Sequence, residues 1–223
     1  MCQVERAHFS IRWLTLLAIL VSTAASSQNE SVPDGTQEID AIWHVQSLPF
    51  LFRGRNVLYA CPAFQKKLQS ILLAVGAHPS MIIQTSCKQD TLTDRVEARI
   101  ALATPVEATP ENVAAATTFD SKRAFLARVQ GTPLPTPSAI EKFHAGHRVV
   151  TLEDRPDLSL EPSDCELLIA VTKQLFPKID VEVQKSMLFC TDTIARPPVL
   201  QVRTLIRADD EANPVSAQEA NRG

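Results

Sequence analysis

Glu141, His144 and His147 fall three residues apart in the stretch EKFHAGH. A carboxylate and two imidazoles at that spacing could hold zinc or copper. His147 also opens HRVVTL, a strand-like run that would turn it away from a loop site, and solvated loop histidines are the ordinary alternative. Paired acids occur at Glu153-Asp154 with Asp157, and at Asp209-Asp210-Glu211. Such pairs do acid–base work only where their surroundings drive their pKa values apart, and these flank arginine and proline in polar loops. The chain has no Gly-x-Ser-x-Gly elbow, no Ser-x-x-Lys, no His-Glu-x-x-His and no Cys-x-x-Cys. Six glycines in 223 residues leave no glycine-rich phosphate cradle. These absences favour a binding or structural role over a catalytic one, with no cofactor implied. The metal-binding protein or metal-dependent enzyme built on Glu141, His144 and His147 is the alternative.

The remaining reactive groups are cysteines. Arg6 and Arg12 precede the apolar run WLTLLAILV, which is followed by STAASSQ. A positive start, a short apolar run and small residues form the layout of a secretory signal peptide, residues 1–25, too short to span a bilayer. Its removal takes Cys2 with it and leaves Cys61, Cys87, Cys165 and Cys190. Four cysteines in an exported chain form two disulfides, with three pairings formally open.

Geometry narrows the choice. Pro62 suits a first helical turn and Gly76 a helix stop. Between them Phe64, Leu68, Ile71, Leu72 and Val75 fall on one helical face. A helix from Cys61 to Val75 advances about 21 Å, and a strand from Ser80 to Cys87 returns about 23 Å. The ends therefore meet, pairing Cys61 with Cys87. Counted from Cys165, the same offsets give Leu168, Thr172, Leu175, Phe176 and Ile179, four of them apolar. The second unit has a shorter helix and a longer return, and the same plan there pairs Cys165 with Cys190. Ser163 and Glu166 have capping-box spacing at its start. Alternating strands are expected over RVEARIALA and PVLQVRTLI.

The succession Tyr-x-Cys, amphipathic helix, LLxxxGA, strand and Cys, then GTPLPTPSxIExF, then PxDCELL with a later Pro and Cys, resembles a family of exported bacterial proteins of unknown function. The likeness covers about residues 42–206. It implies export and paired cysteines and assigns no catalytic residue.

The expected fold is α+β: two similar β-helix-β-β units, an internal duplication, with a mainly antiparallel sheet and helices on one face. Residues 26–40 are read as a disordered linker. The units occupy 41–103 and 147–206, joined by a Pro-rich connection over 104–146. A short helix in it is capped by Asp120 or Ser121 and stopped by Gly131. Residues 207–223 are read as a flexible tail.

A net charge of −3 gives no basic footprint for nucleic acid, and aromatics at 5% argue against base stacking. LPFLFRGRNVLYAC reads as a hairpin turning at Gly54. Phe50, Phe52, Arg53 and Arg55 on it form a candidate partner surface, and a sheet edge offers a route to a protein partner or to self-association. The location implied is periplasmic or secreted, with no membrane span after signal cleavage.

Overall fold

The computed structural model describes residues 38–87, 91–155, 157–190 and 198–209. The segments read as signal peptide and most of the linker, and Asp210-Glu211 with the residues after them, lie outside the described residues. The described part opens with strand β1 (Glu38–Arg53), then β2 (Tyr59–Ala60), helix α1 (Cys61–Ala74), β3 (Ile82–Thr85), β4 (Leu92–Thr93) and β5 (Arg95–Glu107). The connection carries α2 (Pro110–Thr117) and α3 (Ser121–Gln130). Strand β6 (Phe143–Thr151), helix α4 (Cys165–Gln174), β7 (Glu182–Met187) and β8 (Val199–Arg207) complete the fold.

This is an α+β protein with one six-stranded antiparallel sheet, ordered β3-β5-β1-β6-β8-β7, and a small β2-β4 ladder. The order is palindromic. In each half a long strand leads to a helix, the helix to an edge strand, and the edge strand to one that inserts beside the first. The halves join where β1 and β6 pair antiparallel, Glu38 opposite Gly146 through Ala41 opposite Phe143.

Strand alternation sets the two faces. Leu48, Phe50, Phe52, Val96, Ile100, Leu102, Leu200 and Val202 face α1 and α4 in the main core. Phe64, Leu68, Ile71 and Leu72 descend on them from α1, and Leu167, Leu168, Val171, Leu175 and Phe176 from α4 and the turn after it. In the first half Thr104 lies opposite His44 and Leu102 opposite Gln46. In the second, Thr204 lies opposite Arg148 and Val202 opposite Val150. Thr104 and Thr204, both buried, thus occupy matching places in the two inserted strands.

Each helix finishes against the other half. After α1, Gly76 adopts φ +92°, and a Cβ there would come within 2.8 Å of the Leu205 carbonyl. Glycine meets both constraints, and the Thr204 hydroxyl donates to the adjacent Val75 carbonyl at 2.8 Å. After α4, the Lys178 carbonyl accepts from Gln46 at 3.0 Å. Gln174 bonds both backbone groups of Leu51, closing the part of β1 that has no strand on that side.

Cys61 is bonded to Cys87 with Cα atoms 5.8 Å apart, and Cys165 to Cys190 with 5.5 Å. Each bridge ties the start of a core helix to the chain just beyond an edge strand.

The structure corrects several expectations. β1 starts at Glu38, inside the expected linker, and its partner is β5, so residues 48–59 form no hairpin. The box at the second helix joins Glu161 and Asp164, each accepting from the other's end of the turn. Glu166 instead accepts from the Arg55 backbone at 2.6 Å. The connection holds α2, capped by Thr109, besides the expected α3, capped by Asp120 and closed by Gly131 at φ +65°. No helix among the described residues is long and apolar enough to cross a membrane.

Candidate functional site

The residues named from sequence do not gather into one site. β6 includes both histidines, and three positions along a strand put them on opposite faces. His144 Nδ1 lies 3.5 Å from Asp40 Oδ1, its partner across the β1-β6 ladder. His147 Nε2 lies 3.6 Å from Glu107 Oε1. Among the described residues no group of three or more His, Cys, Asp or Glu side chains could hold a metal. The proposed set of Glu141, His144 and His147 is therefore divided by the pleat of β6.

The acids have structural partners. Glu153 accepts from the Leu200 backbone at 3.1 Å. Arg155 grips Asp157 with two bonds of 3.0 and 3.1 Å, and that hydrogen-bonded guanidinium holds the Asp157 carboxyl below its ordinary pKa. Asp209 pairs with Arg207 at 3.0 Å.

Phe50 and Phe52 are core residues, 2% and 0% exposed, so they form no partner surface. They pack with Phe64 and Tyr59, ring centroids 5.4–6.2 Å apart. Arg53 and Arg55 are exposed.

One buried polar cluster links the halves. The Tyr59 hydroxyl donates to Asp164 Oδ1 at 2.7 Å, and Lys67 Nζ donates to Asp164 Oδ2 at 2.8 Å. Lys67 also reaches the Ser159 carbonyl at 2.7 Å. The Asp164 side chain is 2% exposed, and the Glu161 backbone N–H donates to it as well. Burial, then the bond to Asp164, pushes the Tyr59 phenol far above its ordinary pKa. Tyr59 and Asp164 stand in the stretches Tyr-x-Cys and Asp-Cys. Nothing in their spacing told that they touch.

A cleft of about 800 Å³ lies elsewhere, beside the β1 edge. Its floor is built of lateral rows on the face opposite the core helices. Pro49, Arg99 and Gln84 form one row, and Leu51, Glu97 and Ser86 the next. Lys173, Gln174 and Lys178 come in from the end of α4 along the β1 edge. Glu97 is neutralised by Arg95 at 2.5 Å. Arg99, Lys173 and Lys178 have no ion pair among the described residues. The cleft therefore presents three cations with no ion pair among the described residues, side-chain amides and a shallow apolar floor. That suits an anion better than a neutral ligand.

Sequence reasoning missed this site because its cations come from two distant stretches. Arg99 is one of several outward residues of an alternating strand, and Lys173 and Lys178 are ordinary polar residues of a helix end. The chain matches no protein-family model, no curated protein and no solved structure.

Proposed function

We propose that this chain is an exported binding module, periplasmic or secreted, made of two duplicated β-helix-β-β units, that takes an anionic ligand in the cleft beside β1. The observation that carries the ligand class is the convergence on one concavity of Arg99, Lys173 and Lys178, which have no ion pair among the described residues. Its volume, about 800 Å³, lies in the range of small-molecule and peptide sites.

Duplication is supported by the palindromic strand order and by the matched buried threonines. The helix offsets add to it: Phe64 and Leu168, Ile71 and Leu175, Leu72 and Phe176, and Val75 and Ile179 are all buried. The edge strands fit least well, because β7 carries a bulge between Val183 and Lys185.

Export is supported by the two disulfides, which persist in oxidising compartments, and by the layout of residues 1–25. The expected mature chain lacks residues 1–25 and reacts with no thiol reagent when denatured without reductant. Intact mass and thiol titration of protein recovered outside the cytoplasm check this. A retained N-terminus with free thiols would refute it.

The cleft is tested by calorimetric titration with hexaglutamate as probe. Saturable binding that weakens with salt is expected. It should fall at least about tenfold in the variant Arg99→Ala, Lys173→Ala, Lys178→Ala, since truncating desolvated charge contacts costs about 1.4 kcal/mol or more. All three side chains are exposed, so the variant keeps its fold. Equal binding by both proteins, or none by either, rejects the anionic cleft.

A further inference from the structure

We infer that α3 is a docking helix for an anionic lipid surface. It departs from the usual economy of a surface helix, which turns its large apolar residues inward. Phe125, Leu126 and Val129 are 62%, 44% and 66% exposed, while the half-buried residues of α3 are Ala124 and Ala127. At about 100° per residue the three large side chains share an arc of about 100°, and the two alanines point the other way.

Charge selects the occupant. Arg128 and Arg123 flank the apolar arc, each about 60° beyond its edge. Lys122 continues it at the first turn, where its methylene stem can lie along the same surface. The helix Ser121–Gln130 contains no acidic residue, in a chain whose net charge is −3. An apolar stripe bordered by arginines on both sides is the arrangement that lies in a bilayer interface, with the side chains sunk and the cations among phosphates.

The helix is also preset for that use. Isolated helices this short are marginal, yet α3 is held at both ends. Asp120 accepts from the Arg123 backbone at 2.6 Å, and Gly131 closes the last turn in the left-handed conformation. None of its residues is buried in the core, so contact with a surface requires no opening of the fold. The binding expected from one short helix is weak and reversible.

Hydrogen exchange of the full chain, with and without vesicles of equimolar phosphatidylglycerol and phosphatidylcholine, reads the contact at α3 itself. Any contribution of the N-terminal apolar run is thereby read separately. Slowed exchange over residues 121–130 is expected with these vesicles at low salt. It should be absent with phosphatidylcholine alone and lost in about 1 M salt, where charges are screened within about 3 Å. Replacing Lys122, Arg123 and Arg128 by glutamine should reduce vesicle affinity by more than about tenfold, and Phe125→Ser with Val129→Ser should abolish the protection. Unchanged exchange on adding anionic vesicles would overturn the proposal. So would concentration-dependent dimerisation that protects α3 without lipid and is lost in Phe125→Ser, which would assign the helix to a second copy of the chain.

Discussion

Replacing Cys61 and Cys87 together by serine is expected to lower the free energy of unfolding by about 3–4 kcal/mol. The bridge closes a loop with a sequence separation of 26 residues, and freeing a loop of that length returns conformational entropy to the unfolded chain. The native side adds to the loss. Cys61 is 3% exposed at the head of α1, and Cys87 packs on the same core just beyond β3. β3 is a four-residue edge strand held by one ladder, to β5, so the bridge is its main tether on the helix side. The Cys165–Cys190 bridge closes a near-identical loop and should contribute a similar amount. Loss of both is comparable with the whole stability of an ordinary domain. Guanidinium denaturation of wild type, each paired variant and the four-serine variant checks this. A drop of less than about 1 kcal/mol in the paired variants would mean that the bridges stabilise nothing beyond the packing around them.

The second large effect concerns the buried clasp between the halves. Lys67→Met keeps most of the side-chain volume but strips the ammonium from Asp164, whose side chain is 2% exposed. A carboxylate left in that position without its cation costs about 3–5 kcal/mol. Adding Asp164→Asn to Lys67→Met should restore part of the loss, because the amide accepts from Tyr59 without carrying a charge. Urea midpoints of the single and double variants decide it. A double variant less stable than Lys67→Met alone would show that the charge itself is not the difficulty.

The same clasp sets an alkaline limit. The Tyr59 phenol is raised in the folded protein, by burial first and by its bond to Asp164 second. A raised group contributes stability that is present in full below its unfolded pKa, about 10. The contribution shrinks as pH rises above that value, because only the unfolded chain releases the proton readily. Wild-type stability should therefore fall more steeply above about pH 10 than that of Tyr59→Phe.

Which of these features could be read from the chain depends on how local their causes are. α1 was legible because Phe64, Leu68, Ile71, Leu72 and Val75 repeat at helical spacing between Pro62 and Gly76, and all five are buried. α3 was legible from its caps alone, since Asp120 and Gly131 act within one turn of the helix they bound. α2 was hidden because its interior is alanine, with no apolar period to mark a face. β1 was misread for a different reason. Arg53-Gly54-Arg55-Asn56 is good local turn chemistry, yet the strand before it pairs with β5, dozens of residues away. That choice is made by burial of Phe50 and Phe52 on one face, a tertiary demand that outweighs a local turn signal. The histidines suffered the same fate: sequence spacing brought them near, and the pleat of β6 parted them.

The candidate site was the least legible part. Arg99, Lys173 and Lys178 meet only because β1 leaves β6 after Ala41, so that the end of α4 can come up beside it. No segment records that divergence by itself. The clasp was closer to the surface of the sequence, since Tyr59 and Asp164 each stand just before a bridged cysteine. Fixing the two helix starts side by side brings those neighbours within reach of each other.

The crossing of the helix ends has a mechanical consequence. A helix that finishes on strands from the opposite side of the molecule cannot be peeled off with its own three strands, because the platform under its last turn would stay behind. Either portion, parted from the other, would lose the seat of its helix and expose aromatic and aliphatic surface to water. The protein should therefore melt as one cooperative body in spite of its two-part plan. The helices of the long proline-rich tether supply no buried side chain, so they add nothing to that shared core.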